Sequence, residues 1–237
     1  MTDRIPDESQ RKAARVAGFS FLSAIAIVVI ANYGIAFRLI IPGNASETAR
    51  NIMAHQLLFR INIACDLAYV VNIVVMLASL YVVLQPVNRN LALVAVFCRL
   101  ILAFMWVVTA LNMLGALRLL GDAVYLSVFT ADQLQSFARL HIAASSDSYY
   151  VGLPFWGLAS TICSCLFFKS GYIPRALAVF GVISSAWCVF CALAYLVSPN
   201  FQNTIGLSWF DMPVVIFEIA LGVWLLFKGL RINSQAA

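Results

Sequence analysis

Charged residues are scarce in this sequence, and their scarcity defines the class of protein. Only 11% of the 237 residues are Asp, Glu, Lys or Arg, and 63% are hydrophobic. An average soluble domain is about a quarter charged and roughly half apolar. A soluble chain of this length could not bury so much apolar surface. The composition therefore predicts a polytopic membrane protein, and no polar stretch is long enough to form a second domain.

Histidine and the common catalytic motifs are almost missing. The chain has two histidines, His55 and His141, and neither belongs to an HExxH pattern. This argues against a zinc site, against a haem carrier and against hydrolases that bind metals through several histidines. A Gly-x-Ser-x-Gly sequence and a P-loop are absent as well. We expect no catalytic residue, metal or cofactor, and an enzyme is the least favoured class.

The cysteines and the net positive charge are both explained by structural roles in a membrane protein. All six cysteines fall in apolar stretches, where a thiol acts as a small packing residue. Cys188 and Cys191 have the spacing of a redox motif, but no histidine or second pair accompanies them. The net charge of +5 comes mostly from Lys and Arg near helix ends, so it indicates membrane topology and predicts no binding of nucleic acid.

Six apolar stretches are long enough to cross a bilayer as helices. Prolines mark several of their ends, at Pro42-Gly43, at Gln85-Pro86 and at Pro199. The sequence therefore predicts an all-α fold, a bundle of six transmembrane helices between two short tails. The predicted spans are about residues 15–41, 57–84, 91–119, 149–168, 174–197 and 211–228, and the tails are residues 1–14 and 231–237.

Two short surface helices are predicted between the spans. Asn44 and Glu47 have the spacing of a capping box, and so have Thr130 and Gln133. In the second loop, apolar residues then recur at helical spacing up to His141. The aromatic group formed by Tyr149, Tyr150, Phe155 and Trp156 is interpreted as an interfacial belt.

The basic residues predict the direction in which the chain is threaded. With the N-terminus in the cytoplasm, nine of the 15 Lys and Arg residues flank the inner side and five flank the outer side. The positive-inside rule therefore places both termini in the cytoplasm and both surface helices outside. The remaining basic residue, Arg99, lies inside the third span.

Three ionisable residues lie deep inside predicted spans, where a charge needs a partner or water. Helical rise places Asp66, Arg99 and Glu218 within a slab less than about 10 Å thick. We expect them to form a polar cluster flanked by Asn62, Tyr69 and Asn112. Asn62, Asp66 and Tyr69 share one helix face, because they occupy positions i, i+4 and i+7.

The charges of this predicted cluster leave two chemical alternatives. Two carboxylates against one guanidinium leave one excess negative charge when both are ionised. Either one carboxylate keeps a proton, which makes a proton site, or a cation joins the cluster. The competing interpretation is a structural lock, in which Arg99 pairs with one carboxylate and the network only fastens helices together.

Several segments resemble a family of bacterial membrane proteins. They are the string from Leu58-Phe59-Arg60 to Asp66, the turn Pro86-Val-Asn-Arg-Asn-Leu91, Phe97-Cys98-Arg99, Ser170-Gly-Tyr-Ile-Pro-Arg175, and Glu218 to Lys228-Gly229. In order and spacing they are similar to domain of unknown function 4386, from about Arg11 to Arg231. The resemblance implies a six-helix protein of the bacterial inner membrane, and it implies no activity and no functional residue.

Three kinds of function fit these observations. The first is a small transporter or ion-coupled permease that uses the mid-membrane carboxylates for protons or cations. The second is a binding or sensory module for a small lipophilic or cationic ligand, and the third is a membrane-assembly protein in which the cluster is a structural lock. The sequence predicts no oligomeric state.

Overall fold

The structure, a computed structural model, describes residues 6–198 and 200–231. Within these ranges the protein is helical and contains no strand. Six of its helices are long and apolar enough to cross a membrane, so the prediction of an all-α protein with six membrane spans is confirmed. The helices are α1 (Glu8–Leu39), α2 (Ala45–Ala54), α3 (Gln56–Leu84), α4 (Arg89–Leu119), α5 (Ala131–Ser170), α6 (Arg175–Val197), α7 (Phe201–Thr204) and α8 (Ser208–Phe227).

Parts of the predicted tails and one predicted helix stop lie outside the described residues. They are residues 1–5 of the N-terminal tail, residues 232–237 of the C-terminal tail, and Pro199. Residues 8–14 of the predicted N-terminal tail are helical, because α1 begins at Glu8. Asp7 and Gln10 cap it reciprocally, since each side chain accepts a hydrogen bond from the other's backbone N–H. Gln10 is also buried and donates from Nε2 to the carbonyl oxygen of Val83.

Helix α1 contains a feature that periodicity does not predict. Its residues Ile30–Ala36 form a π-helix, and α-helical hydrogen bonding resumes at Phe37. Segments of this kind are rare, and where they occur they are frequent at functional sites. The helix ends before Pro42-Gly43, where Gly43 adopts a φ of 75° that other residues rarely take.

Both predicted capping pairs are hydrogen-bonded, but only the pair at Thr130 and Gln133 is a reciprocal capping box, and only the pair at Asn44 and Glu47 starts a short helix. Asn44 accepts a hydrogen bond from the backbone N–H of Glu47 at 2.9 Å and begins α2. The second box, at Thr130 and Gln133, begins α5. Helix α5 runs for 40 residues, so the predicted surface helix and the predicted span from Tyr149 are one continuous helix.

The continuity of α5 has a local physical cause. Residues 141–148 include no glycine or proline that would stop a helix. The hydroxyl of Ser145 donates to the carbonyl oxygen of Ile142, and that of Ser148 donates to the carbonyl oxygen of Ala144. Serine side chains can hydrogen-bond to backbone carbonyl oxygens in the preceding turn of the same helix, so their presence does not require the helix to end. The polar sequence is therefore accommodated inside the helix.

The chain divides into two compact units. Of the described residues, the first unit comprises 6–25, 72–103, 150–198 and 200–231, and the second comprises 26–71 and 104–149. In the first unit α1 and α8 approach very closely, because a Cβ on Gly18 would lie 2.8 Å from the carbonyl oxygen of Gly222. Such close backbone approach between small residues is typical of membrane helices. In the second unit Phe59, Ile63 and Ile142 belong to a buried apolar core.

Candidate functional site

An ion pair between Arg99 and Glu218 lies inside the first unit. Nη1 of Arg99 donates to Oε1 of Glu218 at 2.7 Å, and Nη2 donates to Oε2 at 3.1 Å. Arg99 is 4% exposed and Glu218 is 5% exposed. The contact is therefore a buried bidentate pair, the strongest geometry available to a guanidinium and a carboxylate.

Two residues of α5 complete the hydrogen bonding of Glu218. The indole Nε1 of Trp156 donates to Oε1 of Glu218 at 2.6 Å, and the hydroxyl of Ser160 donates to the same oxygen at 2.9 Å. The guanidinium of Arg99 also lies over the Trp156 ring, 5.2 Å from its centroid, within the range of a cation–π contact. Oε1 thus receives three donors and Oε2 receives one, so both carboxylate oxygens are satisfied.

Sequence reasoning did not assign Trp156 and Ser160 to this network. Trp156 was interpreted as part of an interfacial belt, yet it is only 7% exposed. The two residues are four positions apart, so they lie on one face of α5. That spacing of an indole N–H and a hydroxyl was the signal that could have found them.

The electrostatics of the Arg99–Glu218 network favour a stabilising role. The two formal charges cancel, and the carboxylate has no oxygen left without a donor. Removing one partner of a buried pair costs about 3–5 kcal/mol, because the other charge remains desolvated. The network joins α4, α5 and α8, so it can hold these helices together without binding anything further.

A small cavity of about 20 Å³ adjoins the ion pair in the first unit. Arg99, Ser160 and Glu218 contribute its polar wall, and the remaining lining residues include Met76, Leu80 and Phe217 and are mostly apolar. A buried water needs about 10–15 Å³ of such space and a few polar partners. The cavity can therefore accommodate about one water molecule beside the carboxylate.

Asp66 and Asn62 lie in the second unit, and their environment differs from that of Glu218. Each is 3% exposed. Among the residues that the structure describes, Oδ2 of Asp66 and Oδ1 of Asn62 have no hydrogen-bond donor. A buried acceptor without a donor costs about 1–3 kcal/mol. The second unit thus contains a buried carboxylate whose hydrogen bonding is incomplete.

Aromatic rings surround this part of α3. The ring of Tyr69 lies 4.5 Å from that of Trp106, and Trp106 in turn contacts Tyr149 edge-on at 6.2 Å. Tyr69 and Trp106 are both buried. Within the described ranges Nε1 of Trp106 has no acceptor. Among the described residues of this unit, the buried polar atoms without partners are therefore two acceptors, Oδ2 of Asp66 and Oδ1 of Asn62, and one donor, Nε1 of Trp106.

Asn112, the remaining residue of the predicted cluster, also lies in the second unit and is engaged with α5. Its Oδ1 is 3.1 Å from Nδ1 of His141. Gly115 makes room for the imidazole, because a Cβ there would lie 2.9 Å from ring atoms of His141. The pair fastens α4 to α5 through one side-chain contact.

The predicted cluster is thus divided between the two units. Arg99 and Glu218 meet in the first unit, while Asn62, Asp66, Tyr69 and Asn112 belong to the second. Over residues 6–198 and 200–231, no three His, Cys, Asp or Glu side chains converge as they would around a metal ion. Cys188 and Cys191 are both fully buried free thiols.

Comparisons with known proteins give one result. No curated protein and no solved structure shows significant similarity to the chain. A family model described as domain of unknown function, DUF4386, matches residues 16–229, which is nearly the whole chain and agrees with the resemblance found in the sequence. The chain is a multi-pass membrane protein and belongs to the DUF4386 family.

Proposed function

We propose that the protein is a small ion-coupled permease in which Asp66 takes up the coupling ion, a proton or a small cation. The observation that carries this proposal is the contrast between two buried carboxylates. Glu218 has donors on both oxygens, whereas Oδ2 of Asp66 has none among the described residues. Ionisable residues within membrane spans are costly and commonly functional.

The charges of the second unit support the assignment of Asp66. Its basic residues Arg38, Arg50, Arg60 and Arg118 are exposed, and Arg139 is half-buried. None of the described ion pairs within this unit involves Asp66. An ionised Asp66 would therefore be desolvated without a fixed counter-charge in its unit. A proton or a cation that arrives and leaves would supply that charge reversibly.

The alternative function is a binding, sensory or membrane-assembly protein that transports nothing. The Arg99–Glu218 network favours this alternative, because both oxygens of Glu218 already have donors within the protein. In that case Asp66 would contribute only to folding or would contact a small lipophilic or cationic ligand held in place. The two functions differ in whether Asp66 exchanges an ion across the membrane.

Reconstitution into liposomes tests the choice. Liposomes containing an entrapped pH dye are loaded with protein, and amino acids, organic acids, sugars and organic cations are added in turn under imposed proton and sodium gradients. We expect at least one solute class to produce ion-coupled uptake that Asp66→Asn abolishes. Asp132→Asn, which changes an exposed acid in the same way, is the matched control and should retain uptake.

The result that would overturn the permease is equally direct. Uptake that is absent for every solute class, or equal in wild type and Asp66→Asn, contradicts the proposal. In either case the alternative function stands. Size-exclusion chromatography in detergent and circular dichroism confirm that each variant is folded before its flux is compared.

We further propose that the protein lies in a bacterial inner membrane with both termini in the cytoplasm. The excess of Lys and Arg next to the predicted inner segments, nine against five, supports this orientation. A C-terminal green fluorescent protein fusion expressed in a bacterium should fluoresce, while an alkaline phosphatase fusion at the same point should be inactive. The reverse pattern contradicts the orientation.

A further inference from the structure

We infer that the ion taken up by Asp66 is a proton, and that the resulting carboxylic acid donates its hydrogen bond to Asn62. This inference deepens the proposed function and rests on it, because it names the ion used at the same site. It begins from two atoms, Oδ2 of Asp66 and Oδ1 of Asn62. Both are buried, and both lack a donor among the described residues.

The two residues are placed to satisfy each other. They are four positions apart on α3, so their Cβ atoms are roughly 5–6 Å apart on one helix face. An ionised carboxylate and an amide oxygen are both acceptors, so neither can donate a hydrogen bond to the other. One proton on Oδ2 of Asp66 turns that oxygen into a donor and gives Oδ1 of Asn62 its partner. A single proton thus removes two unsatisfied buried acceptors.

A hard metal cation fits the same place less well. Such ions surround themselves with about six or more oxygen ligands. Asn62 and Asp66 supply two unpartnered acceptor oxygens. The described residues also contain no group of three or more His, Cys, Asp or Glu side chains that could hold a metal ion. The number of available oxygens therefore favours a proton.

The neighbouring titratable groups leave Asp66 as the proton carrier of this face. On α3 they are Cys65, which directly precedes Asp66, and Tyr69, three positions after it. On α4 the ring that packs against Tyr69 is Trp106, which has no titratable group. On α5 Tyr149 contacts Trp106, and His141 is engaged by Asn112. The unit's basic side chains are exposed or half-buried and form no described ion pair with Asp66.

Infrared difference spectroscopy on the full chain in lipid bilayers tests this inference without any substrate. A protonated carboxyl group has a C=O stretch that is separate from amide bands and shifts in D₂O. We expect such a band in wild type at a pH where the exposed carboxyl groups are already ionised, its loss as the pH rises further, and its absence from Asp66→Asn at the same pH. Added sodium or potassium chloride at constant ionic strength should leave the band unchanged.

Substitution of the amide tests the partner. Asn62→Ala removes the proposed acceptor, so the acid band should remain but move in frequency. Asn112→Ala is the matched control, because it removes another amide of the same unit that is already engaged with His141, and it should leave the band in place. If the amide of Asn62 instead presents its N–H groups to Asp66, the carboxylate is held ionised and wild type shows no acid band.

The outcomes separate this inference from the proposed permease. At a pH where the exposed carboxyl groups are ionised, an acid band that survives Asp66→Asn, or no such band in wild type, overturns the proton whatever the transport result. Uptake that Asp66→Asn abolishes but that follows a sodium gradient keeps the permease and rejects the proton. An Asp66-dependent band in a protein without uptake keeps the proton site and rejects the permease.

Discussion

Removing the charge of Glu218 is expected to destabilise the protein strongly. Glu218→Gln keeps the side-chain length, but Arg99 then has no carboxylate at the 2.7 Å position. The side chains of the pair are 5% and 7% exposed, so water does not replace the lost charge. Breaking one half of a buried ion pair costs about 3–5 kcal/mol. At about 2–4 °C per kcal/mol for a chain of this length, Tm should fall by roughly 6–20 °C.

Thermal unfolding in detergent, followed by circular dichroism, measures this loss. The matched control replaces both partners, Arg99→Met with Glu218→Leu, so that no charge remains buried. Substitution of a whole buried pair by apolar residues is often neutral, but Trp156 and Ser160 lose their acceptor when Glu218 is removed. We therefore expect the double variant to recover part of the lost stability. Trp156→Phe, which removes the donor at 2.6 Å but keeps a ring, should cost about 1–3 kcal/mol.

Two results would refute this account of the ion pair. The first is a Glu218→Gln variant whose Tm stays within a degree or two of wild type, because a charge left unpaired would then cost nothing. The second is a double variant as unstable as Glu218→Gln alone, because the loss would then reflect packing rather than charge.

The remaining predictions concern close contacts at two glycines. Gly18→Ala should cost about 1–3 kcal/mol of stability by overpacking, because its Cβ would lie 2.6 Å from the backbone nitrogen of Leu226. Thermal unfolding measures this loss. Gly34→Ala is the control, because a Cβ at Gly34 meets nothing within 4 Å. Gly115→Ala should displace His141 from Asn112 and lower the stability by about 1 kcal/mol. If Gly115→Ala lowers the stability equally when Asn112 is already replaced by Ala, the role of this hydrogen bond is contradicted.

Hydropathy was sufficient to predict the six spans, because long apolar stretches have no other stable arrangement in a membrane protein. It was insufficient for helix ends that depend on side-chain contacts. Helix α1 extends beyond the predicted span to Glu8, because Gln10 caps it and bonds to Val83. Helix α5 continues through a polar stretch because Ser145 and Ser148 bond within it.

The candidate sites could be predicted only in part for a related reason. Helical rise indicated a common depth for Arg99 and Glu218, and the structure places them in one ion pair. Depth along a helix says nothing about rotation around it, so Trp156 and Ser160 were missed. The π-helix at Ile30–Ala36 was also missed. The spacing of apolar residues indicates which residues are buried, but it does not indicate whether the backbone hydrogen bonds span four or five residues.

The central claim is that Asp66 exchanges an ion while Arg99 and Glu218 fasten helices. The most direct measurement compares ion-coupled uptake in liposomes for Asp66→Asn and for the Arg99→Met, Glu218→Leu double variant. The claim predicts that Asp66→Asn remains folded and loses uptake, whereas the double variant retains uptake. A folded double variant without uptake, together with an active Asp66→Asn, would contradict it.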